Sequence, residues 1–422
     1  MYRLLPVSIL LAVAFAPPLA ARPAVPVDGQ PFDAKLTRIG ADWQLTFAAG
    51  GKERKLPAAD LVYWGTCAET TQGPIVVTAD GGLLVADVFK ADKESLVADS
   101  PMFGELKLPL PSVAGIVFDP PAAQTQRDGL LTRVARAGGD SDRIILHNGD
   151  ELAGVFEGME EDDEGAVIVT IKTGVGPVKI KTDRIAALIF NPALKDAAAG
   201  AGLRAWAGFS DGTRLLAEKL VLGPSSLKIT TAKVAGTLRV PSAAEQGSRG
   251  AGERGNGGAE GQTWETLPED LVWLQPLGGR AVYLSRLKPA GYRHMPYLDL
   301  KWPYKTDRNV TGGMIRCDGR LYPIGLGMHS AARLTYSLDK PYRRFQAELG
   351  IDDSTAGRGS VRARVYVDGR QRHATETIRG GAAPVPISVD LSGAERLDLI
   401  IDFADRADEQ DHANWLNARL IK

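Results

Sequence analysis

Cysteine is nearly absent: Cys67 and Cys317 are the two in 422 residues. A disulfide framework needs more, and neither cysteine has the close spacing of a cysteine-rich zinc site. A single bond between them stays chemically open if the chain is exported. An excess of charge of either sign is also lacking. The 50 basic residues face 51 acidic ones, a formal net charge of −1. No basic block stands out, so the electrostatic footprint of a nucleic-acid binder is missing. The polybasic patch of a membrane-surface anchor is missing too. After the first residues no segment reaches the ~20 apolar positions needed to span a bilayer. Gly-x-Ser-x-Gly, His-Glu-x-x-His and phosphate-cradling glycine loops do not occur. Carboxylates are too numerous for a glycosidase pair to be picked out. The expectation is a chain without catalytic activity or cofactor.

What is present begins with an export signal. Arg3 is a positive n-region, and Leu4 to Ala16 is apolar apart from Ser8. Ala20 and Ala21 offer a small-residue cleavage point. Residues 1–21 are therefore read as a signal peptide, with the mature chain starting near Arg22; the alternative is an N-terminal membrane anchor that stays uncut. That places the protein in the periplasm, at the cell surface or outside the cell.

Glycine is plentiful, 47 residues, and the periodic segments are short. Both favour strands and turns over long helices. A fourfold repeat fills the first two-thirds of the chain. Each unit starts at an Asp-Gly or Asn-Gly: Asp28-Gly29, Asp80-Gly81, Asn148-Gly149 and Asp211-Gly212. These pairs supply the positive φ of a tight hairpin. Each unit closes on a β-rich run, at Leu61 to Trp64, Val113 to Phe118, Ile185 to Phe190 and Leu271 to Leu274. Units of about 50 residues with four or five strands suggest small SH3-like barrels over 22–70, 71–121, 142–192 and 193–279. Gln124 to Ala137 carries Leu130, Leu131 and Val134 on one helical face, so 122–141 is a helical linker. Ala193 to Ala201 is a weaker helical stretch. The glycine-rich segment 246–262 lacks apolar residues and is expected to be disordered. Trp43, Trp64, Trp206 and Trp273 belong to barrel cores, and His147 to a strand face. The acidic run Glu160 to Glu164 reads as a hairpin tip, since it lacks calcium-loop spacing. The unit at Leu146-His147-Asn148-Gly149-Asp150-Glu151-Leu152-Ala153-Gly154 resembles short barrel repeats of exported bacterial proteins.

From about Arg280, after a Gly278-Gly279 linker, longer alternating strands recur to the end and read as a β-sandwich. Ordered motifs run through it: Gly325-Leu326-Gly327-Met328-His329-Ser330, then Gly350-Ile351-Asp352-Asp353, Gly357-Arg358-Gly359-Ser360 and Val365-Tyr366-Val367-Asp368-Gly369. The last is Asp411-His412-Ala413-Asn414-Trp415-Leu416-Asn417-Ala418. This succession resembles the NPCBM family. The resemblance implies a galactose-binding-like jelly roll over 280–422 that binds sugars, often galactose-containing glycans. It departs from the family's closing motif, where Asn414 and Asn417 stand for aspartates and Leu416 for a small residue. The overall class is all-β: several small barrels followed by a sandwich.

A sugar site needs an aromatic face for the pyranose ring and charged or amide groups for its hydroxyls. The candidate set is His329, Asp352, Asp353, Arg358, Asp411, His412, Asn414 and Trp415. In one arrangement Asp411 to Trp415 forms a wall opposite Asp352 and Arg358. In the structural alternative, Asp352 and Asp353 cap a turn, and His412 and Trp415 pack inside the sandwich. Asp402, Asp405 and Asp411 leave a structural calcium open. The partners expected are glycans. Alternatives are an assembly role with other envelope proteins, or service to a separate glycoside hydrolase.

Overall fold

The computed structural model describes residues 21–196, 202–232, 261–297 and 299–422. Residues 1–20 of the expected signal peptide, residues 197–201 of the second linker and residues 246–260 of the glycine-rich segment lie outside them. The described chain is dominated by antiparallel strands, as the alternation and turn chemistry require.

Four units share one strand plan. In the first, Arg22–Pro26, Phe32–Ile39, Gln44–Ala49 and Lys52–Pro57 pair in succession. A 3-10 turn at Ala58–Asp60 follows, and Leu61–Gly65 returns to pair with the first strand. The third unit, Asp142–Leu146 to Ile185–Ile189, repeats this. So does the fourth, Arg204–Phe209 to Leu271–Leu277. In the second unit the second strand is split into Leu83–Val85 and Asp87–Ala91. The four turn glycines, Gly29, Gly81, Gly149 and Gly212, have φ of 95, 92, 90 and 88°, the geometry that excludes most other residues. His147 lies exposed in the third unit's turn, not on a strand. The closing runs expected from sequence are each unit's last strand.

The units are not beads on a string. Their last strands join edge to edge: Trp273 pairs with Gly65 between the fourth and first units, and Gly115 with Ile189 between the second and third. The approach at Gly65 is close, since a Cβ there would lie 2.0 Å from the Val272 carbonyl oxygen. Edge pairing of this kind removes open strand edges. Trp64, Trp206 and Trp273 are buried. The helix forms at Gln124–Ala135, with Leu131 and Val134 buried in a core shared by several units. Of the second expected helix, a 3-10 turn at Pro192–Leu194 lies among the described residues.

The C-terminal sandwich has two main sheets. One runs in the order Lys305–Thr306, Gly325–His329, His412–Ile421, Arg344–Ile351, Val385–Asp390. The other runs Gly291–His294, Ala332–Ser337, Arg396–Phe403, Ser360–Val367, Arg370–Ala374. Phe345, Trp415, Leu399 and Val365 are among the side chains filling the space between them, as period-two alternation dictates.

Gly278 and Gly279 do not form a loose linker. A Cβ at Gly278 would meet the Gly202 oxygen at 2.3 Å, and one at Gly279 the Ala59 oxygen at 2.7 Å. Glycine serves here for close packing, and at Gly278 also for a φ of 82°. The sandwich docks on the repeats through buried polar contacts. Gln275 donates to Tyr283 Oη at 3.0 Å and to Asn417 Oδ1 at 2.8 Å, and Tyr283 donates to the Val62 carbonyl. Arg280 bridges Asp28 and Asp60, and Arg344 also reaches Asp28. Cys67 and Cys317 are both buried free thiols.

Candidate functional site

At one end of the sandwich several strands stop together. Gly325–His329 ends, His412–Ile421 begins, and Gly291–His294 ends beside them. His329 and His412 are direct cross-strand partners, so the pairing register alone brings two imidazoles together. Their ring centroids are 5.7 Å apart. His294 meets His329 edge-on at 5.8 Å. Trp302 stacks on His329 with centroids 4.9 Å apart and an interplanar angle of 4°, and lies 5.6 Å from His412. Three of the chain's five histidines thus share one cluster with a half-buried indole.

The cluster holds enclosed polar atoms with few protein partners, Ser330 being shared among His294, His329 and Asp411. Among the described residues these include His294 Nε2, His329 Nδ1, His412 Nδ1, Ser330 Oγ and Asp411 Oδ2. Enclosed polar atoms nearly always have a partner, protein or water, so this cluster is a polar pocket inside the end of the sandwich. His294 Nδ1 accepts from the Trp302 amide at 3.2 Å, which places that ring's proton on Nε2 as a donor. Tyr297, three residues after His294, is 63% exposed, and Phe403, at the end of Arg396–Phe403, is 47% exposed. Ala331, Ala356, Arg406, Ala407 and Gln410, in the loops of this end, hold left-handed backbone with φ between 52 and 59°. Such strain persists only where the surroundings impose it, and it gathers at ligand sites.

The expected residues divide. His329, Asp411 and His412 are at the cluster. Arg358 is exposed, its Nε donating to the Thr355 carbonyl. Asp352 is buried and fully used, accepting from the Asn309 and Asn414 side-chain amides and from the Arg316 and Ser354 backbone. Asp353 accepts from the Asp318 and Gly319 amides, a turn cap. Asn414 and Trp415 are fully buried, the indole 5.9 Å from Phe345. Asp411 to Trp415 is therefore mainly strand, not an open loop wall, and a sugar cannot reach Trp415. Among the acids considered for calcium, Asp402 pairs with Arg364 and Asp405 with Arg379. Among the described residues no group of three or more His, Cys, Asp or Glu is placed to hold a metal. Sequence reading missed His294, Trp302, Ser330 and Tyr297. The dense aromatic and histidine content of 292–304 was the available signal.

A family model described as the NPCBM/NEW2 domain matches residues 280–421. This segment is an NPCBM/NEW2 domain. The chain is 31% identical over 110 residues to the "Putative endo-alpha-N-acetylgalactosaminidase" of Renibacterium salmoninarum, covering 26% of this chain and 7% of that protein. It is 26% identical over 117 residues to the alpha-1,3-galactosidase B of Akkermansia muciniphila, covering 27% of this chain and 15% of that one. The chain thus spans a small part of these relatives. Among solved structures, the CBM51 module of Clostridium perfringens GH95 in complex with methyl-galactose aligns with 33% of this chain and 99% of its own, at 24% identity and a TM-score of 0.31.

Burial keeps all three imidazoles of the cluster below their ordinary range, and His329, with His412 beside it, falls to about 4. The site is uncharged on these rings at neutral pH. As pH falls through 6.5, the unfolded chain binds a proton at His329 that the native state refuses. Stability is therefore lost between pH 6.5 and about 4, on the order of 3 kcal/mol from this residue. Burial acts oppositely on Asp411, raising its carboxyl to about 6. Its contribution is present below pH 3.8 and lost as pH rises through 6. Denaturation at pH 7 and pH 4.5 isolates the histidine: wild type should lose more stability on acidification than His329→Gln. An equal loss in both would contradict the assignment.

Proposed function

We propose that this chain is an exported, non-catalytic protein that binds galactose-type glycans at the imidazole–indole end of its NPCBM/NEW2 domain. The observation that carries the reading is the cluster of three imidazoles around the half-buried Trp302 indole. Indole and phenol rings suit the apolar face of a pyranose. A neutral imidazole has one donor and one acceptor nitrogen, a match for hydroxyls rather than charged groups, although the acceptor of His294 is taken by the Trp302 amide. The names of the two curated relatives refer to N-acetylgalactosamine and galactose linkages, which supports the sugar class.

A single shallow site of this kind should bind weakly, from millimolar to tens of micromolar, or about −4 to −6 kcal/mol. Calorimetric titration of the full chain with methyl galactoside and with N-acetylgalactosamine tests this. Trp302→Ala should weaken binding at least tenfold while the melting temperature stays close to wild type. Purified protein should release no reducing sugar from galactose-containing glycans. Unchanged affinity in Trp302→Ala would place the sugar elsewhere.

A further inference from the structure

A second concavity lies where the repeats, the helix and the NPCBM/NEW2 domain meet. It measures about 220 Å³. Arg136 at the helix end, Arg214 from the fourth repeat, and Arg286 and Arg308 from the domain line it. Two carboxylates share the lining, and both are engaged. Asp307 pairs with Arg286 at 3.2 Å, and Asp80 accepts from the Thr78 hydroxyl and the Gly82 amide.

Three guanidinium groups are left without a carboxylate partner among the described residues. Arg136 donates to the Thr306 carbonyl at 2.7 Å. Arg308 donates to the Thr132 hydroxyl and the Asp307 carbonyl. Arg214 is 7% exposed, yet both its Nη atoms face Met314 Sδ, 3.9 Å away, with the Cys67 thiol alongside. A thioether is a weak acceptor. Burial, with Arg214 and Arg136 nearby, pushes Arg308 down to about 10. A buried charge held only by sulfur is costly unless a counter-charge arrives.

We propose that this junction is an anion site that takes one small oxyanion group: a carboxylate, sulfate or phosphate, carried on an acidic saccharide or free in solution. Guanidinium forks match the planar and tetrahedral oxygens of such groups, and charge-assisted hydrogen bonds are the strong ones. The volume is below the roughly 300–1,000 Å³ of drug-sized ligand sites, so the cavity suits a single group rather than an oligosaccharide. Trp206 and Tyr322 also line it. The site uses no residue of the imidazole cluster, and its fate is independent of galactose binding.

The test is calorimetry on the full chain at constant ionic strength in chloride, with inorganic phosphate, inorganic sulfate and glucuronate titrated separately. Calorimetry is preferred to melting shifts because phosphate and sulfate stabilise proteins generally. At least one ligand should give saturable one-to-one binding, weakened tenfold or more in both Arg136→Gln and Arg214→Met. Tighter binding of glucuronate supports a saccharide carrier, and tighter binding of an inorganic ion supports a free anion. Arg214→Met should keep or raise the melting temperature. If it fails to fold, the exposed Arg136 still decides the matter. Lack of saturable binding by all three ligands in the folded wild type overturns the proposal, as does undiminished binding in Arg136→Gln.

Discussion

Replacing Asp128 with alanine is expected to destabilise the protein by about 3–5 kcal/mol, the usual cost of breaking a buried ion pair from one side. Asp128 sits on the helix between the second and third repeats and is 3% exposed. It accepts from the Met314 amide at 2.9 Å and from both Nη atoms of Arg316 in the sandwich domain. Arg316 turns its other edge to Glu69, with Nε to Oε1 at 2.5 Å and Nη2 to Oε2 at 2.8 Å. Burial alone would lower the Arg316 pKa, but the two carboxylates more than offset it and hold the group firmly charged. Without Asp128 the guanidinium stays buried with one partner, and the Met314 amide loses its acceptor. Glu69 is more exposed, so Glu69→Ala should cost less than Asp128→Ala. Urea denaturation of the full chain measures both. A loss below about 1 kcal/mol for Asp128→Ala would show that the repeats and the sandwich are not held together here.

Asp352→Ala should cost a similar 3–5 kcal/mol, and should do so without changing sugar affinity per folded molecule. This carboxylate is 2% exposed and takes four donors: Asn414 Nδ2 at 2.8 Å, Asn309 Nδ2 at 2.9 Å, the Ser354 amide at 3.1 Å and the Arg316 amide at 3.2 Å. Each donor left unsatisfied costs about 1–3 kcal/mol. The same residue fixes the 3-10 turn at Asp353–Thr355 and positions the hairpin that carries Arg316. Denaturation combined with a galactoside titration of the folded variant separates the two effects. Normal stability with lost binding would return Asp352 to the sugar site.

The strand plan was legible in the sequence because two signals agree. Asp-Gly and Asn-Gly pairs fix the first hairpin of each repeat, and the apolar closing runs fix the last strand. The helix at Gln124–Ala135 was legible from Leu130, Leu131 and Val134. What escaped is how the repeats meet. Pairing of Gly65 with Trp273 is a contact between strands some 200 residues apart, and period-two alternation says nothing about which edge a strand will seek. Gly278 and Gly279 show the same limit, since composition cannot tell a glycine that bends freely from one pressed against another backbone. At the candidate site, His329 and His412 were found because they stand in ordered motifs. Trp302 was missed because residues 299–304 lie outside any strand, and His294 because it ends a short strand that belongs to none of the ordered motifs. Trp415 and Asn414 looked accessible in the motif Asp411 to Trp415, but the strand His412–Ile421 is covered on both faces, Trp415 packing in the sandwich core and Asn414 on the opposite side against Asp352 and Cys317.

The central claim, that a galactose-type sugar sits at the imidazole–indole cluster, is tested most directly by nuclear magnetic resonance of the full chain with nitrogen-labelled histidine and tryptophan, titrated with methyl galactoside. Ring signals of His294, His329 and His412 and the Trp302 indole signal should shift along one saturating curve, while those of His147 and the buried Trp64 stay fixed. Saturable binding that leaves the three imidazoles and Trp302 unmoved, or no binding at all, would contradict the account.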